Sequence, residues 1–225
     1  MAVQAAAREP VAGTDAGVYV SEQSLLVAAL LSMSGGYLDA FTWLSLGGVF
    51  ASSQTGNVVF LGLYAASGQG QHAAHHLVPI AGFLLGASLA IRIRAPLLCL
   101  AGEIVVLAAV MLLLHRIPTA VAILGMSFAA ALQSASFRQV ERWKYLSVTV
   151  TGNMLRAIDQ FVVTTDREAA RGTGAMLTLC LMFLLGAAVG GCTTRLLGAW
   201  SLALPIASSI CVLWLCRRHR PPPRS

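Results

Sequence analysis

Charge is what this sequence has least of. Only 11% of its 225 residues are charged and 57% are hydrophobic, whereas an ordinary soluble domain carries roughly a quarter charged residues. So few ionic groups cannot cover a water-exposed surface, and the composition points to a bundle of membrane helices with the lipid bilayer as its surroundings. Acidic residues are the scarcest, 9 against 15 Lys and Arg, for a net charge of +6. The basic residues are scattered just beyond the ends of apolar segments. No basic stripe with interleaved aromatics exists, so nucleic acid is not expected as a partner.

Cysteine and histidine chemistry is equally thin. Cys99, Cys180, Cys192, Cys211 and Cys216 all fall inside apolar segments and none forms a Cys-x-x-Cys pair, so neither a zinc site nor a disulfide framework is supported. They read as small apolar helix residues. His72, His75 and His76 have helical ligand spacing, but no acidic or Cys partner lies near them in sequence. A solvated external loop is the better reading, and no metal or other cofactor is expected. Residues 1–22 lack the basic start and short apolar stretch of a secretory leader. They are expected to stay on as a disordered cytoplasmic segment, and the basic, Pro-rich residues 217–225 as a disordered tail.

What is present is long apolar runs. Segments 24–44, 77–91, 97–114, 118–137, 173–193 and 197–216 are candidates to cross a bilayer, which takes about 20 residues; the second is short unless its flanks join it. Segments 55–67 and 151–165 are helical in pattern but too short, reaching roughly 20 Å at 1.5 Å per residue. If both short segments enter and leave on one side and the N-terminus is cytoplasmic, only Arg116 and Arg195 of the 15 Lys and Arg lie outside. If both cross fully, that positive-inside bias nearly vanishes. The expected fold is therefore an all-α membrane protein with about six transmembrane helices and two short re-entrant or broken helices.

The chain also repeats itself. Gln54-Thr55-Gly56-Asn57 recurs as Val150-Thr151-Gly152-Asn153, and Phe83-Leu84-Leu85-Gly86-Ala87 recurs as Phe183-Leu184-Leu185-Gly186-Ala187, in the same order and at nearly the same separation. Residues 23–116 and 117–216 thus read as two membrane repeats. Three crossings per unit turn the second copy upside down, giving inverted repeats whose short helices start near the midplane, as in transporters and some channels.

Helices that start inside a membrane expose N–H groups that need partners. The Thr and Asn side chains of the two motifs supply caps, and Gly56 and Gly152 let the backbone bend or approach a ligand. The remaining donors and the positive helix ends suit an anionic or dipolar solute. Gln54, Thr55, Gly56, Asn57, Thr151, Gly152 and Asn153 are therefore the expected solute-binding residues, the plainer reading being that they only cap broken helices. Asp39, within the first span, is either a coupling site for a proton or cation or a carboxylate held near the interface by Tyr37 or a backbone donor. Arg156 and Asp159 can pair on one face of the second short helix, or Arg156 can meet an anionic solute. Glu103, in the third long span, needs a partner such as Arg94 or a cation.

With these residues in hand, the chain resembles the YoaK-type family of bacterial membrane proteins, a domain-of-unknown-function family. The resemblance rests on Gly36-Tyr37-Leu38-Asp39-Ala40, on Val49-Phe50 ahead of Gln54-Thr55-Gly56-Asn57, and on Thr151-Gly152-Asn153. It implies a small helical bundle in the bacterial cytoplasmic (inner) membrane, and no substrate. Both termini are expected to be cytoplasmic. The function expected is a small-solute transporter or permease. An enzyme is not expected, because Asp39 and Asp159 are the only aspartates that could pair and no protease-type motif surrounds them. The alternative is a non-catalytic protein acting through helix-mediated partner binding or homo-oligomerisation, for which Gly82/Gly86 and Gly186/Gly190 would supply close-packing faces.

Overall fold

The computed structural model describes residues 21–141, 143–145, 147–163 and 167–218. The expected N-terminal segment and basic tail fall largely outside these residues, as does the end of the second short segment. Eight α-helices follow in order: α1 Leu25–Ser45, α2 Gln54–Ala66, α3 Gly70–Ile93, α4 Pro96–Leu113, α5 Thr119–Ser136, α6 Val150–Val163, α7 Arg167–Leu197 and α8 Ala203–Arg218. Among the described residues, five helical stretches are long and apolar enough to cross a membrane, the last being the run Arg167–Arg218 that holds both α7 and α8. A short antiparallel ladder, β1 Gln139–Val140 with β2 Trp143–Lys144, lies between α5 and α6.

The ends of the elements follow local chemistry. Ser24 caps α1, its hydroxyl accepting from Val27 N at 3.2 Å, as Ser does at a helix start. Gly47 and Gly48 sit at φ +82° and +79° just after α1, a backbone that L side chains avoid and glycine adopts freely. They turn the chain back on itself before α2. The expected second span is longer than its apolar stretch, because α3 begins at Gly70. It takes in His72, His75 and His76, which are helical and not a solvated loop. Likewise α7 starts at Arg167, earlier than the expected 173, and runs 31 residues, about 46 Å at 1.5 Å per residue. A 3-10 turn, Gly198–Leu202, then leads into α8.

Packing is dominated by two close pairs, α1 on α7 and α3 on α5, with α2 on α3, α6 on α7, α4 on α5, α8 on α1, and α4 meeting α8. Glycines make the close pairs possible. A methyl group on Gly36 would overlap the Phe183 carbonyl, and one on Gly186 the Met33 carbonyl; Gly82 and Gly86 press in the same way on the Leu124 and Phe128 carbonyls. In each pair the residue numbers rise together, Gly82 and Gly86 against Leu124 and Phe128, Gly186 and Gly190 against Met33 and Tyr37, so both pairs run parallel. This is the small-residue packing expected where lipid offers no hydrophobic drive between helices.

Two apolar clusters hold α1, α4, α5 and α8 together at different heights. One joins Leu38, Phe41, Leu107, Val110, Ile123, Met126, Ala130 and Leu202. The other joins Val27, Leu31, Leu97, Leu100, Phe137, Val212 and Cys216. Large apolar side chains elsewhere face outward: Val58, Val59 and Leu63 of α2 and Leu155, Ile158, Phe161 and Val162 of α6 are all more than half exposed. The outer faces of the two short helices therefore suit lipid and not water.

Candidate functional site

The site grows from Asp39. Its side chain is 4% exposed and accepts three hydrogen bonds from the chain returning after α1: from Ser52 N at 2.7 Å, Ser52 Oγ at 2.9 Å and Ser53 Oγ at 2.5 Å. Tyr37 takes no part; its hydroxyl donates to Ser201 O at 2.7 Å and lies 2.6 Å from Thr193 Oγ1. Thr42 adds a further tie, its hydroxyl accepting from Ala51 N at 3.1 Å. A buried carboxylate with three donors is satisfied, and this one sits at the positive end of α2, where the helix dipole favours it.

Asn57 completes the clamp. It is fully buried; its Oδ1 accepts from Phe50 N at 3.0 Å while its Nδ2 donates to Phe50 O at 2.8 Å and Gln54 Oε1 at 2.9 Å. Gln54 in turn donates to Ala51 O at 2.9 Å. Gly56 is small so that the Phe50 ring can lie on it, 2.7 Å from where a Cβ would stand. These side chains spend their bonding capacity on the returning backbone.

The far end of α2 rises beside α3 through stacked rings, Phe60 on His76 and Tyr64 on His72, both at 5.1 Å between centroids. His75 Nε2 lies 3.0 Å from Leu46 O, just past α1. The end of α2, the start of α3 and the end of α1 are thus at one level, while α2 starts deeper, beside Asp39. Thr173 of α7 donates to Ala157 O of α6 at 3.2 Å, and Gln160 lies against Gly172.

The starts of both short helices meet at one cavity of about 470 Å³, lined by Ser52 to Thr55, Phe83, Ala87, Ser134, Ala135, Arg138 and Val148 to Thr151. A second cavity of about 400 Å³ is lined by Asp39, Ala40, Trp43, Leu44, Phe50, Ser53, Phe183 and Ala187. Ser53 belongs to both, and the Asp39–Ser53 hydrogen bond lies between them. The linings correspond across the sequence repeat, Phe83 and Ala87 to Phe183 and Ala187, and Ala135 to Asp39.

Of the residues expected at the site, Gln54, Thr55 and Thr151 line the larger cavity. Gly56, Asn57, Gly152 and Asn153 lie outside its lining, Asn153 being 1% exposed. Arg156 reaches back to Asn153 Oδ1 at 3.5 Å. It does not pair with Asp159, which is exposed, because the buried Asn153 offers the guanidinium an acceptor one turn back. Glu103 is fully buried in α4, and both its oxygens lack a hydrogen-bond partner among the described residues, Arg94 included. Arg138, one of the basic residues that the positive-inside count puts on the cytoplasmic side, also stands in the wall. Its place one residue past Phe137, at the end of the helix that leads to the second motif, was the available signal.

Across residues 27–215 the chain matches the model of a family described as a protein of unknown function, DUF1275. It belongs to that family, which is the YoaK-type family named by its motifs. No curated protein and no solved structure matches it.

Proposed function

We propose that this DUF1275 member is a small-solute transporter or permease of the bacterial cytoplasmic membrane. The observation that carries this reading is the cavity bounded by the starts of α2 and α6. Irregular backbone at membrane depth is tolerated where it lines a cavity, and transporters place their sites between such broken helices. In this reading α1, α3, α4, α5, α7 and α8 cross the bilayer, and α2 and α6 are half-helices that return to the side they entered from.

The packing supports two inverted repeats, α1–α4 and α5–α8. Exchanging the halves turns the α1–α7 pair into α5–α3, α2–α3 into α6–α7, and α4–α5 into α8–α1, each of which is a packed pair. The larger cavity reaches Arg138, near the end of α5 that meets the start of α1 through the Glu141 N to Gln23 O hydrogen bond. That end is cytoplasmic by the distribution of basic residues. The smaller cavity lies at the other end of α1, and the Asp39–Ser52–Ser53 cluster separates the two. Alternating access then consists of opening that partition while closing the mouth at Arg138.

The two half-helices differ in charge. Asp39 answers the positive start of α2, but its counterpart beside α6 is Ala135, and Arg138 stands in the same wall. Both favour the negative end of an anionic or dipolar solute at α6. The test is thermal unfolding of the purified protein against a library of small metabolites, with Arg138→Gln and Thr151→Val in parallel, since a bound solute stabilises by mass action. A compound that raises Tm of wild type and of neither variant supports the site. A library without effect, or one whose hits act equally on the variants, counts against it.

A further inference from the structure

Four helices carry apolar stripes at steps of three and four residues, and each stripe is polar at one position. On α1 the stripe is Val27, Leu31, Ser34, Leu38, Phe41; on α4 it is Leu100, Glu103, Leu107, Val110. On α5 it is Ile123, Met126, Ala130, Gln133, Phe137, and through the turn into α8 it is Leu202, Ile206, Ser209, Val212, Cys216. The apolar members belong to the two clusters that join these helices, the one at Leu38 and the one at Leu31. The four polar members fall between the clusters, so register places Ser34, Glu103, Gln133 and Ser209 at one height inside the bundle. None is more than 2% exposed.

Their oxygens are unmatched. Both Glu103 carboxylate oxygens, Ser34 Oγ, Ser209 Oγ and Gln133 Oε1 lack a hydrogen-bond partner among the described residues. Gln133 is nonetheless fixed, since its amide nitrogen donates to Leu31 O at 2.9 Å. An uncompensated carboxylate inside a membrane bundle is costly and marks an ion or proton path or a paired charge. No described cation pairs with Glu103.

We propose that this layer binds a small monovalent metal cation, sodium being the natural probe, with Glu103 as its charged ligand. The donor set is all oxygen, which suits a hard cation and not a thiolate- or imidazole-seeking metal. One carboxylate balances one positive charge, and a divalent ion would leave net charge buried. Among the described residues no donor, the Ser34 and Ser209 hydroxyls included, is within hydrogen-bond reach of the Glu103 oxygens, whereas a metal ion between these groups would serve their oxygens together. The site is separate from the solute cavity, and its existence does not rest on the transporter reading.

The test is thermal unfolding of the full-length protein in detergent, with sodium chloride replacing choline chloride at constant ionic strength and pH. The expected result is a saturable rise in Tm, roughly 5 to 10 °C at sodium 100-fold above its Kd, that Glu103→Gln abolishes. A Ser34→Ala/Ser209→Ala variant keeps the carboxylate and should move the sodium midpoint upward about tenfold, which holds the test open if Glu103→Gln fails to fold. Absence of a sodium-dependent shift in wild type, or an equal shift in either variant, overturns the site. So does a Tm that follows pH alone, identically in sodium and choline, which would assign the layer to a proton.

Discussion

At the scale of single residues, the Thr-Gly-Asn motif divides its labour. Asn57 and Gln54 hold the returning chain, Gly56 admits the Phe50 ring, and Thr55 faces the cavity. Truncating Asn57 to Ala strands the Phe50 N–H and carbonyl without their side-chain partner. The expected cost is about 2 to 6 kcal/mol, since each of the two stranded polar groups costs roughly 1 to 3 kcal/mol. Thr55→Val keeps the shape and should stay within about 1 kcal/mol of wild type while weakening solute binding. Asp39→Asn replaces one carboxylate oxygen by a donor that must face a Ser hydroxyl or the Ser52 N–H, so a loss of about 2 kcal/mol is expected. Denaturant unfolding of the three variants in detergent measures these differences; a fully stable Asn57→Ala would refute the clamp. The sequence made Asp39 conspicuous but not its partners, which lie 13 and 14 residues on. Only the reversal at Gly47 and Gly48 brings them back.

Among the elements, the parallel pairs α1–α7 and α3–α5 depend on backbones in contact. Gly36→Ala and Gly186→Ala each drive a methyl into a carbonyl of the partner helix. Overpacking of this kind costs typically about 1 to 3 kcal/mol, and more here because backbone must move. Gly62→Ala and Gly191→Ala meet nothing within 4 Å and should be neutral or gain up to about 1 kcal/mol from helix propensity. Tm values of the four variants check the contrast, and equal losses in both sets would contradict it. The apolar runs made these helices legible, because crossing a bilayer demands length and hydrophobicity together. Their polar starts were less so. His72, His75 and His76 read as a loop from polarity alone, yet His72 and His76 stack on the rings of α2, and α7 begins in the charged turns after Arg167. The Arg156–Asp159 pair failed because spacing allows a contact without excluding a better one.

For the whole molecule, the proposed repeat is supported by three exchanges among the packed pairs: α1–α7 with α3–α5, α2–α3 with α6–α7, and α4–α5 with α1–α8. The motif order suggests a duplication, while the packing of α1 with α7 and of α3 with α5 is a property of tertiary contacts that no local pattern carries. The proposed topology predicts that a single cysteine replacing Ser67, in a background without Cys99, Cys180, Cys192, Cys211 and Cys216, reacts with a membrane-impermeant thiol reagent from the periplasmic side. One replacing Arg171 should react from the cytoplasmic side. Labelling of both from one side would mean that the number of crossings between α2 and α7 differs from that proposed.

The transport route is tested by uptake, into proteoliposomes holding the purified protein, of the solute that raises its Tm. Saturable uptake by wild type, lost in Arg138→Gln and Thr151→Val although both fold, is the predicted result. A solute that binds wild type yet never crosses, or one whose uptake is the same in both variants, would contradict a transport route through the cavity between α2 and α6.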